Sequence, residues 1–336
     1  MTAAVDFGSH RIRVARLDSD QIIASHFRSV YSVLPDSLDQ RTLLARLGLP
    51  YAVCDSHLAV IGDHADELKC INSTPPVPIF ADGQIAADDP PSRQILNVLI
   101  ESMLPTATGN EACAIIAPGA FQDGSGSPEF LRQIVGLRGY TPLTLSPGLA
   151  TVLAEGSADR FSAIGISFGA SCCHVSLVAR GNEIDHEVIA RGGDWLNIEL
   201  ARQNDQYVYD RDGHCYFDVD SMGSWKEASY RCLTRKDSAL ELTLVSLYND
   251  LLARIVSAAS DLISRNAISP GPIAVLCSGG TACIDGFEQA LRTAFTESSL
   301  TSDQIGDIRI FNDPLTVARG GLIQVALHNE TKAAAA

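Results

Sequence analysis

Apolar residues in this 336-residue chain are grouped in two ways. Some form short continuous runs bounded by turn residues, which predict buried strands; others recur every three or four positions, which predict helices. Residues 4–17 read as a strand pair closed by a turn, and 112–117 as one buried strand. Tyr51–Cys54 and 58–61 are strand-like runs separated by Asp55 and Ser56, inside a less regular section reaching about residue 88. Pro75, Pro76 and Pro78, and then Asp88-Asp89-Pro90-Pro91, mark loops. At 93–103, Ile95, Leu96, Leu99 and Ile100 share one helical face before Pro105 ends the segment. Residues 123–127 read as a loop rich in Gly and Ser, with Pro128 placed for the first turn of a following helix. Short strands are expected at 207–209 and 215–219. Residues 240–263 give a long amphipathic helix with Leu244, Leu247, Leu251, Ile255 and Ala258 on one stripe, stopped by Ser269-Pro270-Gly271-Pro272. Strands alternating with helices predict an α/β fold.

Three glycine-bearing turns punctuate that pattern. Asp6-Phe7-Gly8-Ser9 and Ser167-Phe168-Gly169-Ala170-Ser171 each join two apolar runs and read as hairpin turns. Ser278-Gly279-Gly280-Thr281 ends a strand and leads to a helix at 286–291. Glycine lets backbone N–H groups approach an anion closely, and successive N–H groups form a concave phosphate site. A hairpin needs glycine for its own sake, so one such turn says little. Three in this order suggest a nucleotide held between two lobes, and the two similar hairpins suggest an internal duplication.

Composition narrows the function classes. At 46% hydrophobic and 19% charged the chain can bury a large core. A net charge of −15 argues against nucleic-acid binding and against docking on anionic lipid. No apolar run reaches the length of about 18 residues expected of a membrane span, and the first strand begins so early that no leader is expected. Nine cysteines without paired metal spacing fit a reducing cytoplasm. Cys172 and Cys173 read as small buried apolar groups, and His57, His64 and His214 lack metal-ligand spacing. The acids between Asp205 and Asp220 lack the order of a calcium loop and read as a solvated face.

Taken in order, these segments resemble the actin, heat-shock-chaperone and sugar-kinase superfamily, and within it the bacterial actins of MreB type. Asp6-Phe7-Gly8-Ser9 resembles the first phosphate turn, Ala190-Arg191-Gly192-Gly193-Asp194 the glycine pair of the second lobe, and Ser278-Gly279-Gly280-Thr281-Ala282 the adenosine motif. The segments Leu58 to Ala65, Asp82-Gly83-Gln84-Ile85-Ala86 and Asp313-Pro314-Leu315-Thr316-Val317-Ala318-Arg319-Gly320 resemble patterns of the MreB type, the last most specifically. The resemblance implies two duplicated α/β lobes around a nucleotide cleft, each with a smaller insert. Lobe I would span 1–149 with an insert at about 31–88, completed by 311–332; lobe II would span 150–310 with an insert at about 198–268. It also implies ATP or ADP with Mg²⁺, self-association into filaments, and protein partners in cell-shape or positioning machinery.

The resemblance assigns nucleotide contacts to Asp6, Gly8, Ser9, His10, Arg11, Gly169, Ala170, Ser171, Cys172, Gly192, Gly193, Glu227, Arg231, Gly279, Gly280, Thr281 and Ala282. Asp6 is the expected acid of a metal and water shell. The first turn departs from the family at His10 and Arg11 and the second at Ser171 and Cys172, and two expected carboxylates are replaced: Ser167 stands where the second turn carries Asp, and Ser146 where a Glu precedes Pro. Serine supplies neither metal-shell charge nor a proton acceptor, so turnover is expected to be slow or lost. Arg11 either contacts a phosphate through its planar fork or instead faces solvent or pairs with Asp6. Trp225 to Arg231 sits where the family places a nucleoside-touching helix, and reads equally as a charged surface helix. The loop 105–110, where such proteins often carry an apolar membrane loop, is polar here. The alternatives are a non-polymerising adaptor and a chaperone-like reactivating factor of the same superfamily. A small-molecule kinase would need an acid where Ser167 stands.

Overall fold

A computed structural model describes residues 2–19, 21–72, 76–85, 90–119, 126–209, 213–228, 231–266, 271–298, 300 and 304–335. The expectations for Pro75, Ala86, Asp88, Asp89, 123–125, Asp210, Asp212, Ser229, Tyr230 and 269–270 fall outside these residues. The chain divides into two units, Met1–Leu145 with Gly321–Ala336, and Ser146–Gly320.

The first unit is built on β1 (Thr2–Phe7), β2 (Arg11–Asp18) and β3 (Gln21–Arg28), an antiparallel meander. A small sheet follows, made of β4 (Val30–Pro35), β5 (Tyr51–Cys54), β6 (His57–Ile61) and β7 (Val77–Pro78), with α1 (Leu38–Leu47) and α2 (Asp63–Asn72). The chain then adds α3 (Pro90–Met103), β8 (Ala112–Ile116), α4 (Gly126–Leu137) and β9 (Thr141–Leu145). The main sheet has the order β3-β2-β1-β8-β9, with β8 and β9 parallel to β1. Its core includes Val5, Phe7, Ile12, Ile95, Leu96, Ile100 and Ile115. The section expected to be irregular is thus largely regular. Its strands are short and interrupted by Ser, Asp and Pro, so alternation never builds up over enough residues to be seen.

The second unit repeats the plan. After α5 (Pro147–Glu155) come β10 (Ala163–Phe168), β11 (Cys173–Ala179) and β12 (Asn182–Ile189), again an antiparallel meander. Then follow α6 (Gly193–Gln203), the ribbon β13 (Tyr207–Tyr209) and β14 (Cys215–Phe217), α7 (Val219–Glu227), α8 (Ala239–Arg265), β15 (Ile273–Ser278), α9 (Phe287–Thr296), β16 (Ile305–Phe311) and α10 (Thr316–Ala335). The sheet order β12-β11-β10-β15-β16 has the same directions as the first sheet, so the duplication extends from the hairpins to whole sheets.

Helix α8 is the spine of this unit. Ser238 caps it in a reciprocal capping box with Glu241, and Leu244, Leu247, Leu251, Ile255 and Ala258 are buried in the core as the stripe predicts. Contrary to the expectation from run length, α8 is long and apolar enough to cross a membrane by those criteria alone. Its most apolar 18-residue window holds at most two charged residues, and here half of that window is buried inside the protein.

Helix α5 is buried from Pro147 to Leu153 because glycines let backbone approach backbone. A Cβ on Gly165 would lie 2.1 Å from the Gly148 carbonyl oxygen, and one on Gly320 would lie 1.9 Å from that of Ala150. The segment 313–320 therefore has a packing role: Arg319 pairs with Glu155, at the end of α5, and lies 3.2 Å from Asp313. From Gly321 onward α10 packs on the first unit, against Ala4, Ala114 and Ile116.

Candidate functional site

In the first unit the turn 8–10 links β1 to β2. Buried Ser29 anchors it, its Oγ donating to the Gly8 carbonyl at 2.6 Å and its N–H to that of His10 at 3.0 Å. Ser9 and His10 complete the turn, with His10 exposed. Asp6 is buried on β1, and the residue opposite it on β2 is Arg13, whose Nη1 lies 3.1 Å from its carboxylate. Burial pushes the Asp6 carboxyl above its ordinary value, and Arg13 partly offsets this. Arg11 does not pair with Asp6; it lies 3.6 Å from Asp63. Antiparallel register explains this: Asp6 faces Arg13 directly, whereas Arg11 falls beyond the Phe7–Ile12 pair, at the turn. Arg13 was legible as an inward partner of Asp6 only through that register.

In the second unit three chain segments interlock. The carbonyl of Gly169 accepts from the Gly193 N–H at 3.1 Å and from Thr281 Oγ1 at 2.8 Å. The carbonyl of Ala170 accepts from the Asp194 N–H at 2.9 Å. Gly192 caps α6 beside these two carbonyls. Gly279 has φ +104° and lies against the Phe168 backbone, a conformation and a space that only glycine tolerates. Gly280 has open space where a Cβ would stand, and the Ala282 N–H donates to the Gly279 carbonyl at 3.1 Å. Tyr248 of α8 donates to the Thr281 carbonyl at 3.0 Å, tying the third turn to the core. So Gly169, Ala170, Gly192, Gly193, Gly279, Gly280, Thr281 and Ala282 form one cluster although they span more than a hundred positions.

Lys226, at the end of α7, belongs to this cluster. It is 9% exposed, and its Nζ donates to the Gly193 carbonyl at 2.9 Å. Burial pushes its ammonium down to about 8, with Glu227 and Asp194 opposing that shift. Glu227 is exposed beside it. Arg231 lies outside α7, stacked 3.9 Å over the Trp225 ring and 3.4 Å from Glu241. The sequence motif pointed to Glu227 and Arg231; burial singles out Lys226, the residue just before them. A lone Lys in a charged stretch carries no sequence signal of that kind.

Ser171 and buried Cys172 complete the second turn, Cys172 Sγ lying 3.5 Å from His174 Nε2. Burial pushes its thiol up to about 11. Ser167 is buried, opposite His174 on β11 and level with Ser278 on β15. Ser278 in turn lies 2.7 Å from Thr151 Oγ1. Ser146 is not brought to Ser167. It caps α5 by accepting the Leu149 N–H at 3.0 Å and stands 3.0 Å from Ser176, which lies opposite Gly165, two positions farther from the turn than Ser167. The Ser146 hydroxyl also donates to Glu183 of β12. That carboxylate arrives from across the sheet, so no local motif announces it.

The two matching sheets and their glycine turns define a two-lobed α/β protein of the actin-like fold. The structure is similar to the MamK double helical filament (TM-score 0.67, 15% identity, covering 97% of this chain and 98% of that one). It is similar to MreB 5 of Spiroplasma citri bound to AMPPNP (0.67, 12%, 99% and 98%) and to ethanolamine utilization protein EutJ of Carboxydothermus hydrogenoformans (0.54, 13%, 96% and 89%). No curated protein matches the sequence. The family model named Volactin matches residues 1–325, and the chain belongs to the volactin family.

Proposed function

We propose that this chain is a nucleotide-binding, self-assembling scaffold of actin type, with slow or absent ATP hydrolysis. The observation that carries the proposal is the interlocked cluster of Gly169, Gly193 and Thr281 with Lys226 at its edge. Backbone held this closely by glycines, with one buried cation, suits a phosphate or ribose hydroxyl. Support for nucleotide comes from MreB 5, a structure of the same fold bound to AMPPNP, and support for self-assembly from the MamK filament. EutJ, an ethanolamine utilization protein, has the same fold, and a non-polymerising adaptor is the second reading.

Among the described residues no group of three or more His, Cys, Asp or Glu could hold a metal ion. Asp6 already faces the Arg13 guanidinium at 3.1 Å, which suits an anion partner better than a vacant ligand position. These donors do not fit a protein-held Mg²⁺. Slow turnover rests on Ser146. Its single proton goes to Glu183 and its lone pairs face Leu149 N–H and Ser176, so it has no capacity left to orient a water.

The test is calorimetric titration with ATP and with ADP, alongside negative-stain microscopy with and without Mg-ATP. Nucleotide binding with nucleotide-dependent filaments is expected. Filaments indifferent to nucleotide would leave a scaffold without a switch, and neither binding nor filaments would overturn the proposal. A stable one-to-one complex with another protein in place of filaments would favour the adaptor.

Arg13 replaces Arg11 as the phosphate partner on geometric grounds, being half-buried beside buried Asp6 on the same strand pair. Arg13→Gln should weaken ATP binding about tenfold, the scale of one charge-assisted hydrogen bond. Arg11→Gln should change it by less than about threefold, because its partner Asp63 is exposed. Equal losses in the two variants would refute this ranking.

A further inference from the structure

The second unit leaves an apolar feature uncovered. Every residue of the ribbon β13–β14 is exposed, with Tyr209 at 67% and Tyr216 at 55%. Tyr207 and Phe217 stack at 5.4 Å on the face that also carries Tyr209 and Cys215, while Val208 and Tyr216 stand on the other. A two-stranded ribbon is marginal by itself, and apolar side chains on both faces cannot be covered by a single neighbouring helix. About half of each aromatic side chain remains accessible. That amounts to roughly 300–500 Å² of aromatic surface, a large part of the roughly 800 Å² that each partner contributes to a stable interface.

The same unit carries a groove of about 830 Å³ between α8 and α9. Val245, Ala253, Val256, Ala290 and Ala294 line it with small or apolar groups, so bulky rings would find room between the helices. Its charge is polarised. Lys236 stands at the end where Gly286 meets Thr234, and Asp261 and Glu297 stand towards the ends of the two helices. The ribbon is flanked by the acids Asp205, before β13, and Asp218, after β14, which match the lysine end and not the other.

We propose that the β13–β14 ribbon of one copy seats in the α8–α9 groove of a second copy, acids towards Lys236. This rests on the self-assembly proposed above and gives it a surface. The two mating surfaces differ, so the contact is heterologous. Repeated, it makes an open string and not a closed pair.

The test uses the full chain and three samples, each checked for folding by circular dichroism: the wild type, the ribbon variant Tyr209→Ser/Tyr216→Ser, and the groove variant Ala253→Glu/Ser257→Glu. All four substituted positions are exposed. In sedimentation and electron microscopy each variant should raise the critical concentration for assembly about tenfold or more, the scale of losing one interface hot spot. Mixed in equal amounts, the two variants should form one-to-one dimers that grow no further, because each supplies only one intact surface. Variants that assemble at the wild-type concentration, or a mixture that forms no dimer, would overturn this pairing while leaving self-assembly intact. A wild type that assembles under no condition would overturn self-assembly, and this contact with it.

Discussion

Gly320→Ala destabilises the protein by about 3 kcal/mol or more, as read from the midpoint of chemical denaturation. Two effects oppose each other. Alanine is better than glycine in a helix interior by about 1 kcal/mol, and Gly320 lies inside α10. The new methyl, however, would stand 1.9 Å from the Ala150 carbonyl oxygen and 2.5 Å from its carbon, with backbone atoms on the receiving side that cannot rotate away. Relief requires α10 to move off α5, which would disturb the pairing of Arg319 with Glu155 as well. The control is Gly136→Ala in α4, where nothing lies within 4 Å of the added Cβ; that variant should be neutral or more stable by up to about 1 kcal/mol. A Gly320→Ala protein as stable as the wild type would show that α5 and α10 are not held by this contact.

Lys226→Met separates binding from stability. We expect nucleotide affinity to fall about ten- to a hundredfold with loss of the buried cation, while the nucleotide-free protein becomes more stable by roughly 1–3 kcal/mol. The lysine's ordinary value is 10.5, and burial lowers it to about 8 in the folded chain. Between those values the unfolded chain binds the extra proton, so wild-type stability rises with pH across that window. As pH falls from 10.5 that stability is lost, and the loss is complete by about 8, below which the folded chain carries the buried charge. The variant lacks this dependence, so its advantage should be largest below pH 8 and shrink towards pH 10.5. Nucleotide binding runs the other way: the wild type binds best below about pH 8 and weakens above it, and the variant should not show that weakening. Unchanged affinity in Lys226→Met would remove the lysine from the site.

The main architecture could be read in the sequence wherever a segment is uniformly buried. Residues 163–168, 173–179 and 273–278 lie in the middle of a sheet covered on both sides, so they are predominantly apolar with only small or buried polar groups between, and α8 shows its stripe because one face alone enters the core. Strand β3 was not seen, because it is an edge strand with six exposed residues whose Gln, Ser and His blur any alternation. The glycine turns could be read because close backbone approach admits no substitute. The electrostatic partners could not. Asp6 with Arg13, Ser146 with Glu183 and Lys226 with Gly193 are set by cross-strand register and helix packing, and none leaves a local pattern.

The chain route through the two units fixes an order of synthesis. Residues 146–320 are one unbroken stretch, whereas the first unit needs both 1–145 and the helix that follows Gly321. On a ribosome adding about 5–20 residues per second, the later unit is complete while the earlier one still lacks its closing helix. Strands β1 and β8 must therefore wait, with Ala4, Ala114 and Ile116 uncovered, until the helix beyond Gly321 has been made. This protein finishes its second half before its first.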